Sequence, residues 1–350
     1  MSRHFGYLFR ERRLYRFIFF ILILSSMIGF SFLLNQYQGK WVSVGGGYEY
    51  ETDFTRSFFY IVSIILLILC FIEPAIIFSF KMKRTAFEKE KTHPISKNNL
   101  YFVRFIMGYF EIILPFTFAY FLSIIIFFGF AAVFSWFGFI TYLVFHILGS
   151  LIYSFFTFFY LRANNIIDGF VLMALAFVSI MLLGNSVVYL FTLMSGNKMS
   201  VFLYEFNPYY LLQLVAMYVA EGSNVFHTST IIIMVILLAI LGAALAGVIL
   251  LRDDFKVENA NQKTTSWFGY KTLIPLTLIP AIVFKNAVGL PIYYFYGILV
   301  FALTYLAYAL AYRKFIFTKK GFKIFAAVLG GEIVLYFITL FVWVLKGRII

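Results

Sequence analysis

Apolar residues in this chain come in long uninterrupted runs, each bounded by a short polar or charged stretch. A hydrocarbon core about 30 Å thick is crossed by roughly 20 apolar residues in helical form. Such runs stand at about 15–35, 57–80, 105–130, 136–161, 167–193, 229–251, 272–289, 291–312 and 324–345. Both faces of each run are apolar, which excludes the period-two alternation of an outer-membrane barrel. Helices are the remaining way to satisfy the backbone in lipid. The expected fold is therefore all-α, a polytopic transmembrane helix bundle of about nine spans. The seventh run is short and carries Pro275 and Pro280, so a kinked or re-entrant segment is the alternative there.

The stretches between the runs add detail. Before the first run, His4 to Arg16 interleaves aromatic and aliphatic residues with arginines, the pattern of a helix lying in the cytoplasmic interface. The first run is too long for the apolar part of a signal peptide and lacks a small-residue cleavage site, so it is expected to stay as the first span. Gln36 to Thr55 holds Gly45, Gly46 and Gly47 before Glu49, Glu51 and Asp53. That spacing does not fit a calcium loop, and a flexible solvated loop is expected. Tyr209 to Ala220, after Asn207-Pro208, is apolar but too short to span, and reads as a shallow or re-entrant piece on the outer side.

Composition agrees with the pattern. The 350 residues are 63% hydrophobic and 12% charged, against about 45–50% and about 25% in soluble chains. The net charge of +13 does not point to nucleic acid, because the basic residues sit in short segments between runs, where they meet lipid headgroups and fix topology. With nine spans and a cytoplasmic N-terminus, 22 of the 28 Lys and Arg fall inside. Dropping the seventh span lowers that number to 20, so the rule favours nine, with an external C-terminus. The one cysteine, Cys70, excludes an intrachain disulfide or thiolate metal site.

Catalytic patterns are absent. There is no G-x-x-x-x-G-K-[ST] to cradle ATP phosphates and no G-x-S-x-G, and His4, His93, His146 and His227 have no metal-ligand spacing. The chain is expected to be no enzyme and to bind no metal or cofactor of its own, so energy would come from a partner or an ion gradient. Ionisable groups fall at membrane depth at Glu73, Glu111, His146, Asp168 and Glu332. A charge at a helix centre costs about 2.5–3.5 kcal/mol on insertion scales, so each should face protein, water or an interface. Glu73 precedes Pro74, and Glu111 stands four residues before Pro115. A relay or gate is one reading; a carboxylate paired with a nearby cation, and a hydrogen-bonded core histidine, are the plainer ones. Gly242, Ala243, Ala246 and Gly247 form overlapping small-x-x-x-small pairs that permit close helix packing, within the chain or at a subunit seam.

The segment Lys81 to Arg104, KMKRTAFEKEKTHPISKNNLYFVR, combines a charged stretch able to form a short interfacial helix, a Pro that ends it, and a basic lead into the third span. It resembles the loop between the second and third helices of bacterial ABC-2-type exporter permeases, where E-x-x-x-x-L-P-I-S-R leads into the third helix. Here the last eight positions of the phrase stand as Glu90-Lys91-Thr92-His93-Pro94-Ile95-Ser96-Lys97, with His93 for Leu and Lys97 for Arg. After the sixth run, Arg252 to Ala260, RDDFKVENA, looks like the R-x-x-E-x-A segment of a Gram-positive subgroup with three further helices. The resemblance implies an interfacial helix over 1–16, a six-helix ABC-2 core over 17–252, and a cytoplasmic loop with C-terminal helices over 253–350. It further implies a coupling loop, Phe87, Glu88, Lys89, Glu90, Lys91, Pro94, Ile95, Ser96 and Lys97, docked on cytoplasmic ABC ATPase subunits that hold ATP and Mg²⁺. A homodimer or a second permease would complete the transporter in the bacterial cytoplasmic membrane. The expected substrate is hydrophobic or amphipathic, such as an antimicrobial peptide, because the 22% aromatic content offers wide apolar and π surface. The alternatives are a non-transporting membrane sensor or immunity module for peptides and a gradient-driven secondary carrier.

Overall fold

The computed structural model describes residues 13–38, 40–44, 47–51, 54–82, 97–129, 136–195, 208–221, 228–250, 266–288, 304–311 and 323. In order these form α1 (Arg13–Gln38), strands β1 (Lys40–Val44) and β2 (Gly47–Glu51), and α2 (Phe54–Phe78) with a 3-10 turn at Ser79–Met82. Next come α3 (Lys97–Phe128), a π turn (Trp136–Ile140) leading into α4 (Thr141–Tyr160), and α5 (Ile166–Ser195). Then follow α6 (Pro208–Glu221), α7 (Thr228–Leu250), α8 (Tyr270–Val288) and a helical stretch over 304–311. Residues 1–12, the loop residues Phe87 to Ser96, the Arg252 to Ala260 segment and the ninth run lie outside the described residues.

Among the described residues, five helices are long and apolar enough to cross a membrane, over Phe58–Met82, Leu100–Phe128, Gly138–Tyr160, Ile166–Gly184 and Ile231–Leu250. Large apolar side chains stand exposed on them while several polar ones are buried. Phe118, Ile147 and Val235 are 66%, 58% and 61% exposed, whereas Glu73, Glu111, Asp168, Ser123 and Thr157 are wholly buried. Apolar side chains outside and polar ones inside suit hydrocarbon as solvent, since an unpaired polar group there has no water to turn to.

The fold is helical but not purely so. Lys40 to Glu51, expected as a flexible loop, pairs as an antiparallel ribbon with Trp41 opposite Tyr50 and Val44 opposite Gly47. Trp, Val and Tyr at these positions favour strands.

The chain divides into two compact units interleaved in sequence: Met1–Phe158 with Pro208–Val257, and Phe159–Asn207 with Glu258–Ile350. In the first unit α2 and α3 run antiparallel. Phe58 meets Phe127 and Phe128 at one end, and Phe78 stacks on Tyr101 at the other. Arg104, counted in sequence among the loop charges, is buried inside α3, donates to the Ile77 carbonyl at 3.4 Å and lies 4.1 Å over the Phe80 ring. A cation there serves the carbonyl end of α2, where backbone acceptors lack helical donors and the helix dipole is negative.

α6 packs along α2. Ser63 Oγ reaches the Leu212 carbonyl at 3.1 Å, and Tyr209 interacts with Tyr60. Because 60 and 63 meet 209 and 212 in the same order, α6 runs beside α2 in the same direction. Tyr210, Leu211, Leu212 and Leu214 are buried in this contact, and burial pushes the Tyr209 phenol up to about 12, against a smaller opposing effect of its bond to Gln213.

The glycines of α7 separate. A Cβ on Gly247 would sit 2.6 Å from the Phe158 ring of the same unit, whereas one on Gly242 meets nothing within 4 Å among the described residues. Gly247 is thus an internal packing site. Gly247→Ala is expected to lower the thermal midpoint in detergent by forcing the ring aside, at about 1–3 kcal/mol. Gly242→Ala is expected to be neutral or to raise it, since Ala gains up to about 1 kcal/mol in a helix. The paired melts check this.

In the second unit, α8 is one continuous helix that contains Pro275 and Pro280. It lies along α5 in the same direction. Tyr270 meets Asp168, Thr277 meets Ser179 at 2.8 Å, and the Pro280 carbonyl accepts from Ser186 at 2.9 Å.

Candidate functional site

The chemistry-bearing side chains of the first unit collect in one layer across α2, α3 and α4. Gly108 and Gly149 open it. The space beside Gly108 is filled by the Tyr153 hydroxyl, with Ile77 Cγ1 2.9 Å from where a Cβ would stand, and Leu66 packs on Gly149. Removing two β-carbons lets three helices close to contact distance. At the same level lie Cys70, whose Sγ donates to the Gly149 carbonyl at 3.5 Å, and Glu73 and Glu111, both wholly buried. Tyr153 donates to the Phe105 carbonyl at 3.2 Å, and its hydroxyl lies within electrostatic reach of Glu73 and Glu111. Pro74 and Pro115 each remove the amide that would bond the carbonyl four residues back, which is that of Cys70 and of Glu111. Glu73 and Glu111 thus share this layer with two backbone carbonyls that lack that helical donor.

From Tyr153 a ladder of aromatic and hydroxyl groups climbs the seam between α3 and α4. The Tyr153 ring stacks on Phe105 at 5.3 Å and lies 6.1 Å from Tyr109. Tyr109 Oη lies 2.8 Å from His146 Nδ1 and 2.7 Å from the His146 carbonyl. The next rungs are Thr117 Oγ1 with Tyr142 Oη at 2.7 Å, and Tyr120 Oη donating to the Gly138 carbonyl at 3.0 Å. His146 and Tyr142 stack at 6.1 Å. From Phe105 to Tyr120 the ladder covers about 22 Å of helix. Tyr109, Thr117, Tyr142 and His146 are half-buried, so the ladder shows one edge.

Of the residues singled out in sequence, Glu73, Glu111 and His146 join this one connected array. His146 is the hydrogen-bonded histidine of the plainer reading. Asp168 stands elsewhere, in the second unit, at the start of α5. Asn165 Oδ1 accepts from the Asp168 amide at 2.7 Å, Asn165 Nδ2 donates to Asp168 Oδ2 at 2.9 Å, and Tyr270 donates to Asp168 Oδ1 at 2.8 Å. That is a helix cap with a tether to α8. Among the coupling-loop residues only Lys97 is described, as the first residue of α3. The sequence reading passed over Tyr153, Gly108, Tyr109 and Tyr142. The spacing 142, 146, 149, 153 is a helical stripe, but among 25 Tyr and 48 Phe it does not stand out. Among the described residues no cluster of His, Cys, Asp and Glu could hold a metal ion.

No family model, no curated protein and no solved structure matches this chain.

Proposed function

We propose that this chain is the membrane permease subunit of an ATP-driven exporter of the bacterial cytoplasmic membrane, carrying a hydrophobic or amphipathic substrate such as an antimicrobial peptide. The observation that carries the reading is the phrase Glu90 to Lys97 between α2 and α3, ending where α3 begins at Lys97. The order of elements supports it: among the described residues, five helices long and apolar enough to cross a membrane, with the 14-residue α6 between α5 and α7 in the sequence. ATP and Mg²⁺ belong to separate cytoplasmic ABC ATPase subunits, and a second copy or a second permease completes the pair. Nucleotide-driven movement of the ATPases would reach the helices through the coupling loop, which must contact their two states differently to bias the path.

The test is co-purification with the ATPase encoded beside the chain. Reversal of the charges at Lys89, Glu90 and Lys91 with Pro94→Ala is expected to abolish the complex while the permease keeps its melting profile. If the native loop captures no ATPase, the reading fails. A gradient-driven carrier is the second reading, favoured by the buried Glu73 and Glu111 sharing one layer with Tyr153.

A further inference from the structure

We propose that Tyr109 holds His146 as its Nδ1–H tautomer and that His146 Nε2 is a proton-binding site within the apolar helix Gly138–Tyr160. Tyr109 Oη lies 2.7 Å from the His146 carbonyl oxygen and 2.8 Å from His146 Nδ1. A carbonyl oxygen only accepts and a phenol has one proton, so at 2.7 Å that proton belongs to the carbonyl. The contact with Nδ1 then takes its proton from the imidazole, and Nδ1–H donates to Tyr109 Oη. A neutral imidazole protonated on Nδ1 carries its lone pair on Nε2.

The neighbouring rung gives that lone pair no proton. Thr117 donates to the Ile113 carbonyl at 2.6 Å, so at its 2.7 Å contact with Tyr142 it accepts, and the Tyr142 proton is spent there. Among the described residues Nε2 has no hydrogen-bond partner, and His146 is half-buried, open on one side. A proton added at Nε2 therefore breaks nothing. Nδ1–H still donates to Tyr109, and the imidazolium lies against the Tyr109 and Tyr142 rings at 5.3 and 6.1 Å, near the limit over which ring faces attract a cation. The titratable groups against the imidazole are these two phenols, one from α3 and one from α4. Cys70 of α2 lies within electrostatic reach of Tyr109, and Glu73, Lys81, Arg104 and Glu111 are buried in the same unit. Their balance of charge moves the pH at which the proton binds, not the nitrogen that takes it. The site stands whether the chain is an ATPase-driven exporter or a gradient-driven carrier; only the carrier reading makes the proton a coupling ion.

The experiment is nitrogen-15 magnetic resonance on the full chain in phosphatidylcholine nanodiscs, labelled at histidine. His4→Gln, His93→Gln and His227→Gln leave one imidazole to observe. At alkaline pH the expected signals are a protonated, pyrrole-type Nδ1 and a bare, pyridine-type Nε2. On acidification through and below the ordinary histidine value of about 6.5, Nε2 is expected to become pyrrole-type while Nδ1 stays so. Tyr109→Phe keeps the ring and removes the acceptor of Nδ1–H, and is expected to raise the share of the Nε2–H tautomer at least about fivefold. Nε2 protonated at alkaline pH with Tyr109 in place overturns the proposal. So does an Nε2 that stays pyridine-type at every pH at which the chain remains folded, or a tautomer share unmoved by Tyr109→Phe.

Discussion

Gly108→Ala lowers the stability of the first unit by about 1–3 kcal/mol, the usual cost of overpacking a filled site, and the loss is partly reversed by Tyr153→Phe. The new methyl would fall well inside van der Waals contact of the Tyr153 hydroxyl and 2.9 Å from Ile77 Cγ1. Tyr153 cannot simply swing away, because its hydroxyl donates to the Phe105 carbonyl and its ring stacks on Phe105. Alone, Tyr153→Phe removes one hydrogen bond, worth about 1 kcal/mol. Together the two changes cost less than their sum, since the phenylalanine lacks the oxygen that the methyl meets. Thermal midpoints of the four proteins in detergent, arranged as a double-mutant cycle, measure the coupling. Additive losses would mean that the hydroxyl does not occupy the Gly108 notch.

Asp168→Ala is expected to cost on the order of 2–4 kcal/mol, combining a weakened helix cap with a buried donor left without its acceptor. The carboxylate serves both Asn165 at the start of α5 and the Tyr270 hydroxyl at the start of α8. Tyr270→Phe in the Asp168→Ala background should recover part of the loss by removing the orphaned hydroxyl. Asp168→Asn, which keeps an acceptor oxygen, should cost less than alanine. The same thermal assay decides. A role in transport alone would leave the melts unmoved and change only substrate flux.

These two residues show how far the sequence could be read. Glu73, Glu111, His146 and Asp168 were equally visible as ionisable groups in apolar runs, because a charge in a hydrophobic stretch is a local signal. Their sorting was not local. Asp168 gained its tether to α8 because Tyr270, 102 residues away, reaches it. Glu73 and Glu111 met because Gly108 and Gly149 allow three helices to close on Tyr153. The β-ribbon of Lys40 to Glu51 was missed although its strand-forming residues were in view, since a triple glycine reads as flexibility until cross-strand pairing fixes it.

The sequence by itself determined that the chain is helical and made for a lipid environment, and where most of its apolar helices lie. The length and polarity of a run are properties of neighbouring residues answering to one solvent. Only the tertiary structure decided that α6 enters beside α2, that α8 follows α5 in the same direction through two prolines, and which polar groups share a layer. Those outcomes depend on which helix faces meet. In a chain that is apolar on every face, hydrophobicity does not choose among faces; small residues, ring shapes and single hydrogen bonds do.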